Sequence, residues 1–221
     1  ILIDAQPHIG TNKLPKIIAN IRETIESNGG EIHFNTKVVD FIISNSKIDG
    51  VITEKGDKIL AKNTILATGH SARDIFTLLH NNKIALKYKP FSMGVRIEHP
   101  QELIDSIQYS CKDRGPYLPA AAYKLVTQVK DRGVYSFCMC PGGFIVPAAT
   151  NSSEIVVNGM SPSKRNSVFS NSGIVVEVKD EDLSPFEKFG ELRGLHYQMS
   201  VEKSMCRLTP ELQVAPAQRM V

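Results

Sequence analysis

The chain has no block of lysine and arginine, no long apolar run and no framework of evenly spaced cysteines. Its 26 basic and 23 acidic side chains leave a net charge of +3. Without a basic cluster to track phosphates, neither nucleic acid nor an anionic membrane is expected as a partner. No apolar run approaches the roughly 20 residues of a membrane helix, and no signal-peptide pattern opens the chain. The four cysteines imply free thiols in a reducing compartment, hence a cytoplasmic location. A P-loop, a G-x-S-x-G nucleophile elbow and any G-x-G-x-x-G are also missing. The histidines show no i, i+4 pairing or other ligand spacing, so no metal site is expected. There are no internal repeats and no low-complexity tracts.

What is present reads as α+β. The apolar fraction of 42% is ordinary and supplies a core for one large domain or two small ones. Asn12 is placed to cap a helix whose apolar positions, Leu14, Ile17, Ile18, Ile21 and Ile25, recur at intervals of three and four. Gly29-Gly30 should end it, and residues 31–36 should form a strand with Ile32 and Phe34 alternating. A small antiparallel meander follows, with strands over 38–44, 48–53 and 59–67 turned by Asn45-Ser46 and Lys55-Gly56-Asp57. Its last strand contains the short apolar run 64–67 and leads into Gly69. Ser71 and Asp74 then have the spacing of a capping box for a helix to about residue 81.

Beyond a boundary near Lys87 the character changes. Residues 91–98 alternate, with Met93, Val95 and Ile97 on one face and Arg96 and Glu98 on the other, a solvated or ion-paired face. A helix should begin at Pro100. Strands are expected over 123–128, 134–138, 144–146, 155–158 and 174–178. A final helix is expected over 185–206, interrupted at Gly190 and Gly194. The domains are therefore read as 1–86, an α/β segment, and 87–221, a mainly antiparallel sheet with helices.

Cys138-Met139-Cys140-Pro141-Gly142-Gly143 is the most unusual local sequence. Two thiols one residue apart on a strand should point the same way, and the Pro-Gly-Gly should turn the chain sharply. A strained redox disulfide, a metal half-site and a pair of packed thiols beside a ligand are all open readings.

Taken together, several blocks resemble signature stretches of a family of large bacterial FAD-dependent dehydrogenases, flavoproteins with two dinucleotide-binding domains. They are Ala67-Thr68-Gly69-His70-Ser71-Ala72-Arg73-Asp74, Pro90-Phe91-Ser92-Met93-Gly94-Val95-Arg96-Ile97-Glu98-His99-Pro100-Gln101, Tyr135-Ser136-Phe137-Cys138-Met139-Cys140-Pro141-Gly142-Gly143, Asn158-Gly159-Met160-Ser161 and Ala215-Pro216-Ala217-Gln218-Arg219. That family is distantly similar to flavoproteins that include aminoacetone oxidase-like enzymes. The resemblance implies FAD as cofactor. The backbone of Val38 would meet the adenine, Ala67, Thr68, Gly69 and His70 would form the flavin-side turn, and Gly142 and Gly143 would lie near the flavin. Arg96 is then a candidate for binding an anionic group of a small substrate, with Cys138 and Cys140 as proton donor or redox partner.

Such a flavoprotein carries glycine-rich segments before and after the stretch seen here. The chain also begins at Ile1 without an initiator Met. The expectation is an internal fragment, inactive by itself and not retaining FAD, from an enzyme that passes hydride between a small substrate and FAD. The alternatives are a thiol-based redox enzyme using Cys138 and Cys140, and a non-enzymatic flavin- or RNA-binding module. The substrate and oligomeric state stay open.

Overall fold

The computed structural model describes residues 8–208. It is α+β, with helices α1 (Leu14–Ser27), α2 (Arg73–Asn81), α3 (Gln101–Tyr109) and α4 (Arg193–Arg207). The strands are β1 (Val38–Ser44), β2 (Lys47–Thr53), β3 (Lys58–Leu60), β4 (Ser92–Pro100), β5 (Val126–Val129), β6 (Arg132–Cys140), β7 (Phe144–Pro147), β8 (Val157–Met160) and β9 (Phe169–Glu177). A 3-10 segment, Asp180–Leu192, precedes α4.

α1 forms as the spacing of its isoleucines predicts, but the apolar stripe is exposed and the helix has no buried residue. Its C-terminus is a full Schellman closure, with the Gly30 amide donating to the Ile25 carbonyl, the Gly29 amide to Glu26, and Gly29 at φ +81°. Asn12 does not cap it: Lys13 is the N-cap residue, and the Asn12 side chain accepts instead from the Ser163 amide at 2.8 Å.

The β1–β2–β3 meander is antiparallel, and its first turn places Asn45 and Ser46 both at positive φ, as a tight hairpin demands. One expected strand is absent and another is cut short. Residues 31–36 run into a turn with Asn35 in the left-handed region, and the expected 59–67 strand pairs only as β3 with Ala61 still bonded to Asp49, while residues 62–67 continue without a ladder partner among the described residues. A strand is made by its neighbour as much as by its own apolar run; here Ile65 is 91% exposed. Ser71 does not cap α2 either: Ala72 is the N-cap residue, with no side-chain cap.

The second sheet has the order β4-β9-β6-β5, antiparallel throughout. β9 is a central strand and begins at Phe169, five residues before the expected start. Its first half is Ser170, Asn171 and Ser172, all fully buried, and that polar run conceals the strand from any apolar pattern. The β7–β8 hairpin packs over the face of the sheet that carries Arg96.

Behind the sheet, Tyr88, Phe91, Phe186 and Tyr197 make edge-on ring contacts at centroid distances of 5.7–6.3 Å. Gly194 does not interrupt a helix. It lies in the first turn of α4, where a Cβ would crowd the Tyr88 and Phe91 rings. The break is at Gly190, φ +54°. Asp182 holds the 3-10 segment to β6 through both terminal nitrogens of Arg132, at 2.5 and 2.8 Å, and accepts the Lys179 amide at 2.9 Å.

A buried ionic cluster ties α2 to α4 and to the segment before β8. Arg73, at the start of α2, meets Glu154 at 2.5 Å and also Glu202 of α4, and both carboxylates are almost fully buried. Gln198 donates a further bond to Glu202 at 2.8 Å. Removing the guanidinium leaves two buried carboxylates uncompensated. Arg73→Met is therefore expected to cost about 3–5 kcal/mol, read as a fall in urea midpoint, with Arg73→Lys intermediate because an ammonium cannot fork to two acids.

The Asp182 carboxyl is held below the usual carboxylate range, chiefly by its hydrogen bond to Arg132 and then by the Lys179 amide. Its contribution to stability is complete above the unfolded pKa of about 3.9 and is lost as pH falls through the lower folded value. Urea midpoints measured from pH 6 to pH 3 should decline less steeply in Asp182→Asn than in the parent.

Candidate functional site

The predicted site residues fall in two places. Val38 opens β1. Ala67, Thr68, Gly69 and His70 form an exposed loop that leads into α2. Gly69 sits at φ +75°, where no Cβ would meet another described residue. α2 is tied beside β1 by Lys37–Asp74 at 2.9 Å and by the Asn82 amide donating to Asp40 at 3.1 Å. The turn and the start of β1 therefore belong to one local unit.

Arg96, Cys138, Cys140, Gly142 and Gly143 come together on the second sheet. β6 carries a bulge: its register against β9 shifts between Phe137 and Cys140, and Cys138 is at φ +45°. The extra residue breaks the alternation of the strand, so the expectation that both thiols point the same way fails. It also turns the Cys138 carbonyl toward Arg96 Nη1, which donates to it at 3.1 Å. The Cys140 thiol donates to the same carbonyl at 3.4 Å.

Arg96 is not on a solvated or ion-paired face. It is half-buried under β8, and its second Nη1 bond goes to Asn171 Oδ1 at 2.5 Å. Glu98, two residues along the same face, accepts the Ile145 amide at 3.3 Å and forms no ion pair with Arg96. A Cβ at Gly159 would overlap both Arg96 Nη1 and Asn171 Oδ1. Glycine at 159 is what lets the guanidinium and the amide meet.

The turn after Cys140 is fixed from both sides. The Gly142 amide donates to Gln101 Oε1 at 2.7 Å, the Gly143 amide to the Phe169 carbonyl at 2.8 Å, and Ser161 Oγ to the Pro141 carbonyl at 2.9 Å. Gln101 is itself held by Asp105 at 2.8 Å and by the Ala121 carbonyl at 3.0 Å. Gly142 and Gly143 are buried, with both amides used inside the chain, and Cβ atoms there would strike Arg165 and Met160.

Cys140 instead lines a cleft of about 280 Å³ together with Gly10, Thr11, Leu14, Gly159 and Arg165. The Thr11 amide and hydroxyl both donate to the Ser161 carbonyl, at 3.0 and 3.1 Å, which seats the segment before α1 against β8.

Among the described residues no three His, Cys, Asp or Glu side chains converge as a metal site requires, and no helix is long and apolar enough to cross a membrane. Sequence reasoning assigned no role to Asn171, Gly159, Gln101 or Arg73. The one available signal for Asn171 was a run of small polar residues in a segment otherwise suited to a strand. Arg73 and Gly159 lie inside the blocks 67–74 and 158–161, whose residue types alone do not mark either one.

Residues 90–221 match the model of a family described as FAD-dependent protein, C-terminal domain-like. The chain belongs to that family. It is 40% identical over 217 residues to an uncharacterized protein of Clostridium beijerinckii, a match covering 97% of this chain and 40% of that protein. It is also 29% identical over 103 residues to a D-amino acid dehydrogenase of Helicobacter pylori, covering 47% of this chain and 23% of that enzyme. The chain thus spans about two fifths of the Clostridium relative and under a quarter of the Helicobacter one.

Cys138 is exposed, but partial desolvation by the surrounding chain pushes its thiol up; nearby Arg96 offsets part of this, and Cys140 adds to it. Since the thiolate is the nucleophile, Cys138 should react with iodoacetamide at pH 7.5 more slowly than a free thiol. Arg96→Gln removes the offsetting charge and should slow it further. Peptide-resolved mass spectrometry of the alkylation time course measures both.

Proposed function

We propose that this chain is part of an FAD-dependent oxidoreductase, a dehydrogenase acting on a small molecule. Residues 1–86 would supply part of the cofactor-binding domain, and residues 87–221 the substrate-facing cap. The observation that carries this reading is the match of residues 90–221 to the FAD-dependent family. The likeness to a D-amino acid dehydrogenase over 103 residues supports it.

The residues fit one edge of a flavin nucleotide. The Ala67–His70 stretch, numbered 67–70, is exposed, and Gly69 lets a planar group approach the backbone closely. When bound, FAD would supply the hydride chemistry. The chain's own residues would then hold and orient. Val38 and residues 67–70 would present main chain to the cofactor. Gly142 and Gly143 would shape the turn that carries Cys140 to the cleft wall. Arg96 would bind the anionic end of the substrate.

A dithiol mechanism gains no support. The bulge separates the directions of Cys138 and Cys140, and the Cys138 thiol is pushed up rather than activated. Binding of RNA gains none either, given the balanced charge. A cytoplasmic location remains part of the proposal.

The test is the visible spectrum of the full-length protein that contains this chain. Flavin absorption that is bleached by a reducing substrate and recovers with an electron acceptor is the expected result. A colourless protein that takes up no FAD on titration would overturn the reading.

A further inference from the structure

Arg96 occupies an unusual electrostatic position. Among the described residues it has no carboxylate partner, and the two bonds it does make both come from Nη1 and both end on neutral oxygens, the Cys138 carbonyl and Asn171 Oδ1. Nη1 carries two N–H groups, so that nitrogen is fully used. The Nε–Nη2 edge, whose parallel donors match a carboxylate in a bidentate pair, makes no hydrogen bond among the described residues. Glu98 is near enough in sequence to neutralise the guanidinium, yet its Oε2 is turned to the Ile145 amide.

Asn171 adds a second, independent sign. It is fully buried, its Oδ1 is taken by Arg96, and its Nδ2 has no partner. A buried donor left without an acceptor costs free energy that native proteins rarely leave unspent without a reason. A buried, unpaired amide donor thus lies beside a guanidinium whose Nε–Nη2 edge has no negatively charged acceptor among the described residues. The surroundings are built to hold it so. The β6 bulge aims the Cys138 carbonyl at Nη1, the central strand fixes Asn171 opposite Glu98 and Cys140, and Gly159 leaves the space in which guanidinium and amide meet.

We propose that Arg96, positioned by Asn171 and Gly159, is the recognition point for the carboxylate of a small organic acid, the substrate class of this protein. Arg96 contacts the ligand through its Nε–Nη2 edge; Asn171 and Gly159 are positioning residues that act through it. Calling that ligand the substrate rests on the oxidoreductase reading, while the carboxylate site does not.

The experiment is isothermal titration of the intact full-length protein with lactate, N-acetylalanine and benzoate, each against its neutral amide, with FAD content recorded from the same samples. The acids should bind at least about tenfold tighter than the amides, as a charge-assisted bidentate pair implies. Arg96→Gln should abolish the preference, and Arg96→Lys should keep only part of it. Asn171→Asp, nearly isosteric, places a carboxylate against Arg96 and should weaken acid binding about tenfold or more while the thermal midpoint holds.

Amides binding as well as acids in the parent protein would overturn the proposal, even if every variant failed to fold. So would acid binding unchanged in folded Arg96→Gln. A flavin-loaded protein with no carboxylate preference sinks this inference and leaves the oxidoreductase reading standing. A flavin-free protein with Arg96-dependent acid binding does the reverse.

Discussion

One guanidinium ties α2 to distant segments of the chain. Arg73 lies at the first turn of α2, directly after the exposed 67–70 loop, and reaches across to Glu154 before β8 and to Glu202 of α4. Taking three charges out of water is costly, and the Coulombic attraction recovers that cost only if the geometry is kept. A pair of acids around one arginine tolerates little displacement, because moving any member strands a buried charge. The cluster is a positional constraint more than a source of net stability. It fixes where α2, and with it the preceding loop, sits relative to α4 and the segment before β8.

The same economy appears around Arg96, where the partners are neutral. Cys138 and Asn171 contribute oxygen dipoles and no charge, so the guanidinium is oriented without being neutralised. Three local irregularities make this possible: a bulge in β6, a glycine in β8 and a buried amide in β9. None contributes a side chain to an apolar core, and the bulge interrupts the β6–β9 ladder. The bulge would be a defect if the sheet were only a scaffold.

Local patterns were readable to the extent that local physics decides them. The isoleucine stripe gave α1, the Asn45-Ser46 and Gly56 turns gave the meander, and Gly190 gave the break before α4. The failures lie where partners decide. The apolar run 64–67 has no neighbouring strand to make it one, and β9 begins in serines and asparagine that only a central position in a sheet renders extended. The site was half legible. Arg96, Cys138 and Cys140 are brought together as their motifs implied. The bulge that sets their geometry rests on a positive φ at Cys138, which no propensity for a cysteine in a strand would announce.

That bulge also divides two cysteines that look equivalent on paper into positions under different rules of replacement. Position 138 is governed by its backbone: its side chain is exposed, but its φ of +45° favours glycine or asparagine and penalises valine or isoleucine. Position 140, back in register with Asn171, is governed by volume, since its side chain lines the cleft. Drift at the first should follow conformational tolerance, and drift at the second should follow the size of whatever the cleft admits.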